Sequence, residues 1–206
     1  MDSNRDRYLD AKLDFEAFIS SLIKKTSVFD SDIKELVVKD CTFRINRDIR
    51  FSKDKTPYKI NMGASINKGG KKSIYAGYYF QLEPGGRSLA GGGIWMPMAP
   101  ELKKVRQEID YCYEEFESIL SSKKFKTAYG GIETTGDLKL TNLPRGYDKA
   151  NPSAEYLKLK SIFAMKRIPD SEISQPGLLH NAAKTFSALT PLIKFINRAL
   201  ITEHEN

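Results

Sequence analysis

Two stretches of period-two alternation and a third, glycine-interrupted stretch, separated by short glycine-bearing turns, constrain this chain more than any other feature of its sequence. In Tyr58 to Ile66 the apolar set is Tyr58, Ile60, Met62, Ala64 and Ile66, opposed by Lys59, Asn61, Gly63 and Ser65. In Tyr75 to Glu83 it is Ala76, Tyr78, Phe80 and Leu82, opposed by Tyr79, Gln81 and Glu83. Arg87 to Trp95 forms a third stretch, interrupted by Gly91, Gly92 and Gly93. Side chains alternate across a strand, so each stretch reads as a half-buried strand. The connections Asn67-Lys68-Gly69-Gly70-Lys71 and Glu83-Pro84-Gly85-Gly86-Arg87 read as turns. Consecutive strands joined this closely pair antiparallel. A shorter alternation, Cys41 to Asn46, precedes them, and Ile162 to Ile168 is a further strand.

Helical spacing surrounds the strands. Tyr8, Leu9, Leu13, Phe18, Ile19, Leu22 and Ile23 predict a helix over 5–25, and a short one is expected over Ser31–Val38, capped by Asp30 or Ser31. Leu102, Val105, Ile109, Cys112, Phe116 and Ile119 predict one long helix, with Pro100 in its first turn. Residues 122–153 read as irregular, followed by a helix through Ser161 that Ser153 or Asn151 can cap. Leu179 to Leu200 closes the chain as a helix, in which Pro191 predicts a kink or break. The expectation is a single α+β domain over 1–206, an antiparallel sheet with helices packed mainly on one face.

Charge narrows the partners. The net charge is +7, and all of that excess falls within residues 39–72, where ten basic side chains meet three acidic ones. Within that segment Arg44, Arg47, Arg50, Lys53, Lys55 and Lys59 crowd a loop with only Asp48 and Asp54 to offset them. Such a loop repels itself unless carboxylates or a bound anion compensate. Arginine forks grip phosphate or carboxylate through two parallel hydrogen bonds, and lysine adds a point charge. An anion site and a surface loop whose charges pair with nearby carboxylates both fit, with Asp48 and Asp54 orienting the arginines in either case. Tyr79 and Glu83 lie on the polar sheet face and join the candidate site. Nearby cations would depress the carboxyl of Glu83 and make it a weak base. The glycine run clears side chains from the sheet, which marks a bulge or a close approach by a ligand or an aromatic neighbour.

Several chemistries find no support. Gly86 to Gly91 has the spacing of a phosphate loop, but Gly92 and Gly93 follow where lysine and a hydroxyl residue are required. No dinucleotide fingerprint opens a helix and no nucleophile elbow is present. His180 and His204 lack partners at metal-ligand spacing, and Cys41 and Cys112 are too few for a disulfide framework or a zinc site. No metal and no cofactor is therefore expected, and Cys112, on an apolar helix stripe, reads as a buried thiol. No apolar run reaches the roughly 18 residues of a membrane span. No apolar segment follows Met1-Asp2-Ser3-Asn4-Arg5-Asp6, so the cytoplasm is the expected compartment.

The string Phe43 to Lys59, with Gly63-Ala64, closely resembles the signature of the domain-of-unknown-function family numbered 2461. The later blocks fit as well: Gly77-Tyr78-Tyr79-Phe80, Glu83-Pro84-Gly85, Gly91-Gly92-Gly93 and Pro97. So do Leu143-Pro144-Arg145-Gly146-Tyr147, Pro152, Glu155-Tyr156-Leu157, Lys160-Ser161, Pro191-Leu192, Asn197, Ala199 and Leu200. The resemblance covers nearly the whole chain and implies a single domain with no assigned reaction. It departs at the start, where Asn4-Arg5-Asp6-Arg7-Tyr8 stands for an Asn-Arg-Glu-Trp-Phe stretch and the family's upstream segment is expected to be shortened.

Three readings follow. The first is a small anionic, phosphate-bearing ligand held by Arg44, Arg47, Arg50, Lys53, Lys55 and Lys59, with Tyr79, Glu83 and Arg145 as further pocket residues. The second is nucleic acid bound through the basic 39–72 segment, and the third is an acidic protein partner. No catalytic residue is assigned, and neither an enzymatic reaction nor an oligomeric state is specified.

Overall fold

The computed structural model describes residues 4–50 and 54–201. Among these residues the chain forms eight α-helices and four strands, an α+β arrangement with an open antiparallel sheet in the order β1-β2-β3-β4. The strands are β1 (Met62–Asn67), β2 (Gly77–Leu82), β3 (Ser88–Ile94) and β4 (Ile162–Ile168). The chain divides into two compact units. One comprises Met1–Ser73, Tyr79–Ala90 and Arg167–Ser187, and the other Ile74–Tyr78, Gly91–Lys166 and Ala188–Asn206.

In the first unit, α1 (Arg5–Thr26) packs against β1 and against α2 (Val38–Cys41). Its buried side chains are Phe15, Ile19, Leu22, Ile23 and Thr26, and the Phe18 ring lies 4.8 Å from that of Phe80. Leu9 and Leu13, placed by spacing on the apolar stripe, are exposed, because only the C-terminal half of the helix is covered. The helix expected over Ser31–Val38 is a 3-10 turn at Ser31–Ile33 followed by α2. Asp30 caps the turn by accepting from the Asp32 N–H, and Val37 is extended and half exposed. A stripe of three apolar residues is too short to sustain a helix by itself.

In the second unit, the long helix expected through Ile119 breaks at Cys112 into α3 (Ala99–Tyr111) and α4 (Tyr113–Ser121). The break leaves Cys112 half-buried rather than enclosed. The segment read as irregular contains α5 (Lys123–Tyr129), capped by the Ser122 hydroxyl and ended by Gly130 at φ +75°. Only Phe125 of α5 is buried, so no apolar stripe marks it in the sequence. The helix expected through Ser161 is the single turn α6 (Ala154–Leu157), where the Ser153 hydroxyl donates to Asn151 and Asp110. Two further helices complete the count, α7 (Asp170–Ile173), which belongs to the first unit, and α8 (Leu178–Leu200). α8 runs through Pro191 without a break. That proline is exposed, so its ring points away from the packed side.

The glycine run is explained by backbone. A Cβ at Gly91 would stand 2.1 Å from the Ala164 carbonyl oxygen, and one at Gly93 would stand 2.2 Å from that of Ile162. At Gly92 it would meet the Gly77 carbonyl oxygen at 2.1 Å. The cleared space belongs to the neighbouring strands and not to a ligand.

Candidate functional site

The basic segment folds as an arm of the first unit. Residues 42–47 run antiparallel to 57–64, bridged at Thr42–Ala64 and Asn46–Tyr58. The Phe43 N–H donates to the Gly63 carbonyl at 3.0 Å, the Lys59 N–H to Ile45 at 2.9 Å and the Arg47 N–H to Pro57 at 2.9 Å. Two residue steps separate Phe43 from Ile45, whereas four separate Gly63 from Lys59. The surplus is a bulge at Ile60-Asn61-Met62, which bends the arm and re-aims its side chains. Regular strand therefore begins at Met62 rather than Tyr58, and Ile60 is 69% exposed although alternation assigns it to the apolar face.

The polar sheet face is one hydrogen-bonded chain. The Tyr79 hydroxyl donates to Gln81 Oε1 at 2.7 Å, and Gln81 Nε2 donates to Glu83 Oε2 at 2.8 Å. Asn61 Nδ2, delivered by the bulge, reaches the same oxygen at 3.3 Å, while Arg87 Nε donates to Glu83 Oε1 at 2.5 Å. Tyr79 lies across Gly63, where a Cβ would come within 2.9 Å of its hydroxyl. Arg87, with Asn61 in support, holds the Glu83 carboxyl below its ordinary value. Burial, then the charge of Glu83, pushes the Tyr79 hydroxyl up.

A second carboxylate closes this end of the sheet. Asp170, at the start of α7, accepts from the Gly85 and Gly86 N–H groups at 2.9 Å each. The Ser88 hydroxyl accepts from the Glu83 N–H and donates to the Glu83 carbonyl, which locks the same turn. Between turn, bulge and α7 lies a cleft of about 450 Å³. Its apolar walls are Ile45, Ile60, Met62, Leu82 and Ile173, and its polar lining includes Lys59, Asn61, Glu83, Ser88 and Asp170.

Of the residues expected to form the site, Lys59 and Glu83 line the cleft, and Tyr79 is joined to it through Gln81. The arginines do not converge there. Arg47 donates to Asp54 and, at 2.8 Å, to Thr56. Arg50 grips Asp48 through Nε at 2.9 Å and Nη2 at 2.6 Å, and Lys55 donates to the Ile49 carbonyl. Arg44 is exposed, Lys53 lies outside the described residues, and Arg145 is an exposed residue of the second unit. Asp48 and Asp54 thus orient the arginines by pairing with them. Sequence reasoning missed Asp170, Ser88, Ile45 and Ile173. Asp170 and Ile173 lie on a four-residue helix too short to show a period, and nothing near them in sequence points to the Gly85-Gly86 turn.

The turn made by Asp54 gives a direct check. Hydrogen bonds from Thr56, and then the one from Arg47, lower its carboxyl from an ordinary 3.8 to about 2. A depressed carboxyl stabilises the arm above its ordinary range and loses that effect as pH falls through about 2. A carboxyl-detected NMR titration is expected to place Asp54 near 2, and the Arg47→Ala variant to move it upward.

The signature residues now have places: the arm, the Tyr79–Glu83 chain with its turn, and the close-packed glycines. The family model described as "Conserved hypothetical protein (DUF2461)" matches residues 1–195. The chain belongs to this family. Within this DUF2461 protein, signature residues Lys59 and Glu83 line the cleft, and signature residues Pro84 and Gly85 build the turn that receives Asp170. No curated protein and no solved structure matches the chain.

Proposed function

We propose that this protein binds a small amphipathic anion in the cleft, with a carboxylate or phosphate head at Lys59 and an apolar body along Ile45, Ile60, Met62, Leu82 and Ile173. One observation carries the reading. Both cleft carboxylates already have donors, Glu83 from Arg87, Gln81 and Asn61 and Asp170 from two backbone N–H groups. Lys59 has no carboxylate partner among the described residues, and its ammonium sits 5.5 Å from the centre of the Phe43 ring. An anion completes that ammonium without displacing an existing bond, and desolvation by the apolar walls strengthens the contact. Apolar walls with a few placed polar groups are the usual build of a small-molecule site. The reading is one of binding: Ser88 is engaged on both sides by the Glu83 backbone and is not a poised nucleophile.

Calorimetry with hexyl phosphate, octanoate and inorganic phosphate tests this. The two amphipathic anions are expected to bind saturably and more tightly than inorganic phosphate. Lys59→Met is expected to weaken them about tenfold, or about 1.4 kcal/mol. Binding of inorganic phosphate as tight as hexyl phosphate, or an unchanged Lys59→Met variant, would sink the reading.

A further inference from the structure

The cations that do not enter the cleft form a second feature of the first unit. The turn after β1 docks on α2: the Lys71 N–H donates to the Asp40 carbonyl at 2.9 Å, and Lys71 Nζ to the Lys39 carbonyl at 2.6 Å. Gly70 permits this approach, since a Cβ there would stand 3.2 Å from the Asp40 carbonyl oxygen. Lys39, Lys71 and Lys72 are thereby gathered at the base of the arm, where its ladder opens at Thr42–Ala64. From Thr42 to Arg47 the arm extends roughly 17 Å at about 3.3 Å per residue. Its far end carries Arg47, Arg50 and Lys55, and Arg44 lies between. Lys39, Arg44, Lys55 and Lys72 are exposed and make no ion pair among the described residues.

The spacing decides what such a ridge fits. A single phosphate can meet only one or two of these cations at a time. A chain of phosphates can meet most of them, and releases counterions as it does so. Arg47 remains usable although it is paired: it spends Nη1 on Asp54 and Thr56, which leaves its guanidinium further N–H donors in a fixed orientation. Phe43 stands between Thr42 and Arg44 with 42% of its surface exposed. Its ring carries Lys59 nearby, and an exposed ring beside cations is a platform on which an unpaired base stacks.

The geometry points to the arm as a binding ridge for single-stranded nucleic acid, held by its phosphates along Lys39, Arg44, Arg47, Lys55 and Lys72 and by base stacking on Phe43. The phosphate-binding cations of this ridge are not part of the cleft lining, while Phe43 stands beside the cleft residue Lys59.

Fluorescence anisotropy with the full chain and a labelled oligouridine of about 20 nucleotides tests it, beside sedimentation with vesicles containing phosphatidylserine. The oligonucleotide is expected to bind at about 50 mM salt, with a log–log salt slope of roughly −2 to −3.5, the equivalent of three to five phosphates. The double variant Arg44→Glu/Lys55→Glu is expected to weaken it at least about tenfold and to flatten the slope, while hexyl phosphate affinity and the circular dichroism spectrum stay unchanged. Phe43→Ala is expected to weaken it about fivefold with the slope intact, the mark of a lost stacking contact. Three results would overturn the inference: no oligonucleotide binding at low salt, equal binding by the double variant, or binding to vesicles without binding to the oligonucleotide.

Discussion

Replacing Gly92 by alanine is expected to cost about 4 kcal/mol, a large share of the stability of an ordinary domain. Two effects add. At φ +151° the residue occupies a backbone region that side-chain-bearing residues rarely adopt, a strain of about 1–3 kcal/mol. The new methyl would also stand 2.1 Å from the Gly77 carbonyl oxygen and 2.8 Å from the Tyr78 Cα, so backbone must move. Overpacking of that kind costs about 1–3 kcal/mol even where side chains can yield. For a chain of this size the thermal midpoint is expected to fall by roughly 10 °C. Gly86→Ala is the control. It has φ +69° with nothing within 4 Å, so it carries conformational strain alone and is expected to cost about 1 kcal/mol. Equal midpoints for the two variants would show that the strand approach contributes nothing.

The glycine run also shows what a sequence can say about a sheet. Alternation over Tyr75 to Glu83 located β2 (Gly77–Leu82), because Ala76, Tyr78 and Phe80 are all buried while Tyr79, Gln81 and Glu83 are only half so. That Gly91 to Gly93 must lack side chains was equally readable. What filled the space was not, because the Ala164 and Ile162 carbonyls come from a strand some seventy residues later. Breaks inside periodic segments were hidden for a related reason. Cys112 continues an apolar stripe by spacing, yet its backbone leaves the helix at φ −115°, ψ +39°. Periodicity reports which faces are buried and is silent on whether one axis or two carries them.

The candidate site divides the same way. Glu83 and Lys59 were legible from the polar face of the strands, and the cleft does include them. The arginines were legible as charges but not as geometry: pairing with Asp48 and Asp54, two and seven residues away, keeps Arg50 and Arg47 within the arm. The bulge was invisible because Ile60 and Met62 keep the alternation that a regular strand would have. Only the cross-strand hydrogen bonds reveal that four steps on one side oppose two on the other.

Asn197 carries the second large expected effect. Ala76 lies just before β2, where neither of its backbone groups is met by a ladder. The Asn197 amide serves both, accepting from the Ala76 N–H at 2.8 Å and donating to the Ala76 carbonyl at 3.1 Å. Asn197 is 7% exposed and Ala76 1%, so water does not substitute for it. An apolar replacement strands a donor and an acceptor, each costing about 1–3 kcal/mol, and Asn197→Leu is expected to lose about 3 kcal/mol in denaturant unfolding. Asn197→Asp separates hydrogen bonding from packing. At neutral pH its carboxylate still accepts from the Ala76 N–H but faces the Ala76 carbonyl with no proton to give. Protonation restores the donor. Burial and the opposing carbonyl raise that carboxyl in the folded state above its unfolded value. The variant therefore regains stability below the unfolded value and loses it as pH rises through the folded one. Parallel stability–pH profiles for Asn197→Asp and the parent chain would refute this role for the amide. A profile for the variant that converges on the parent's in acid would fix Asn197 as the partner that replaces a missing strand.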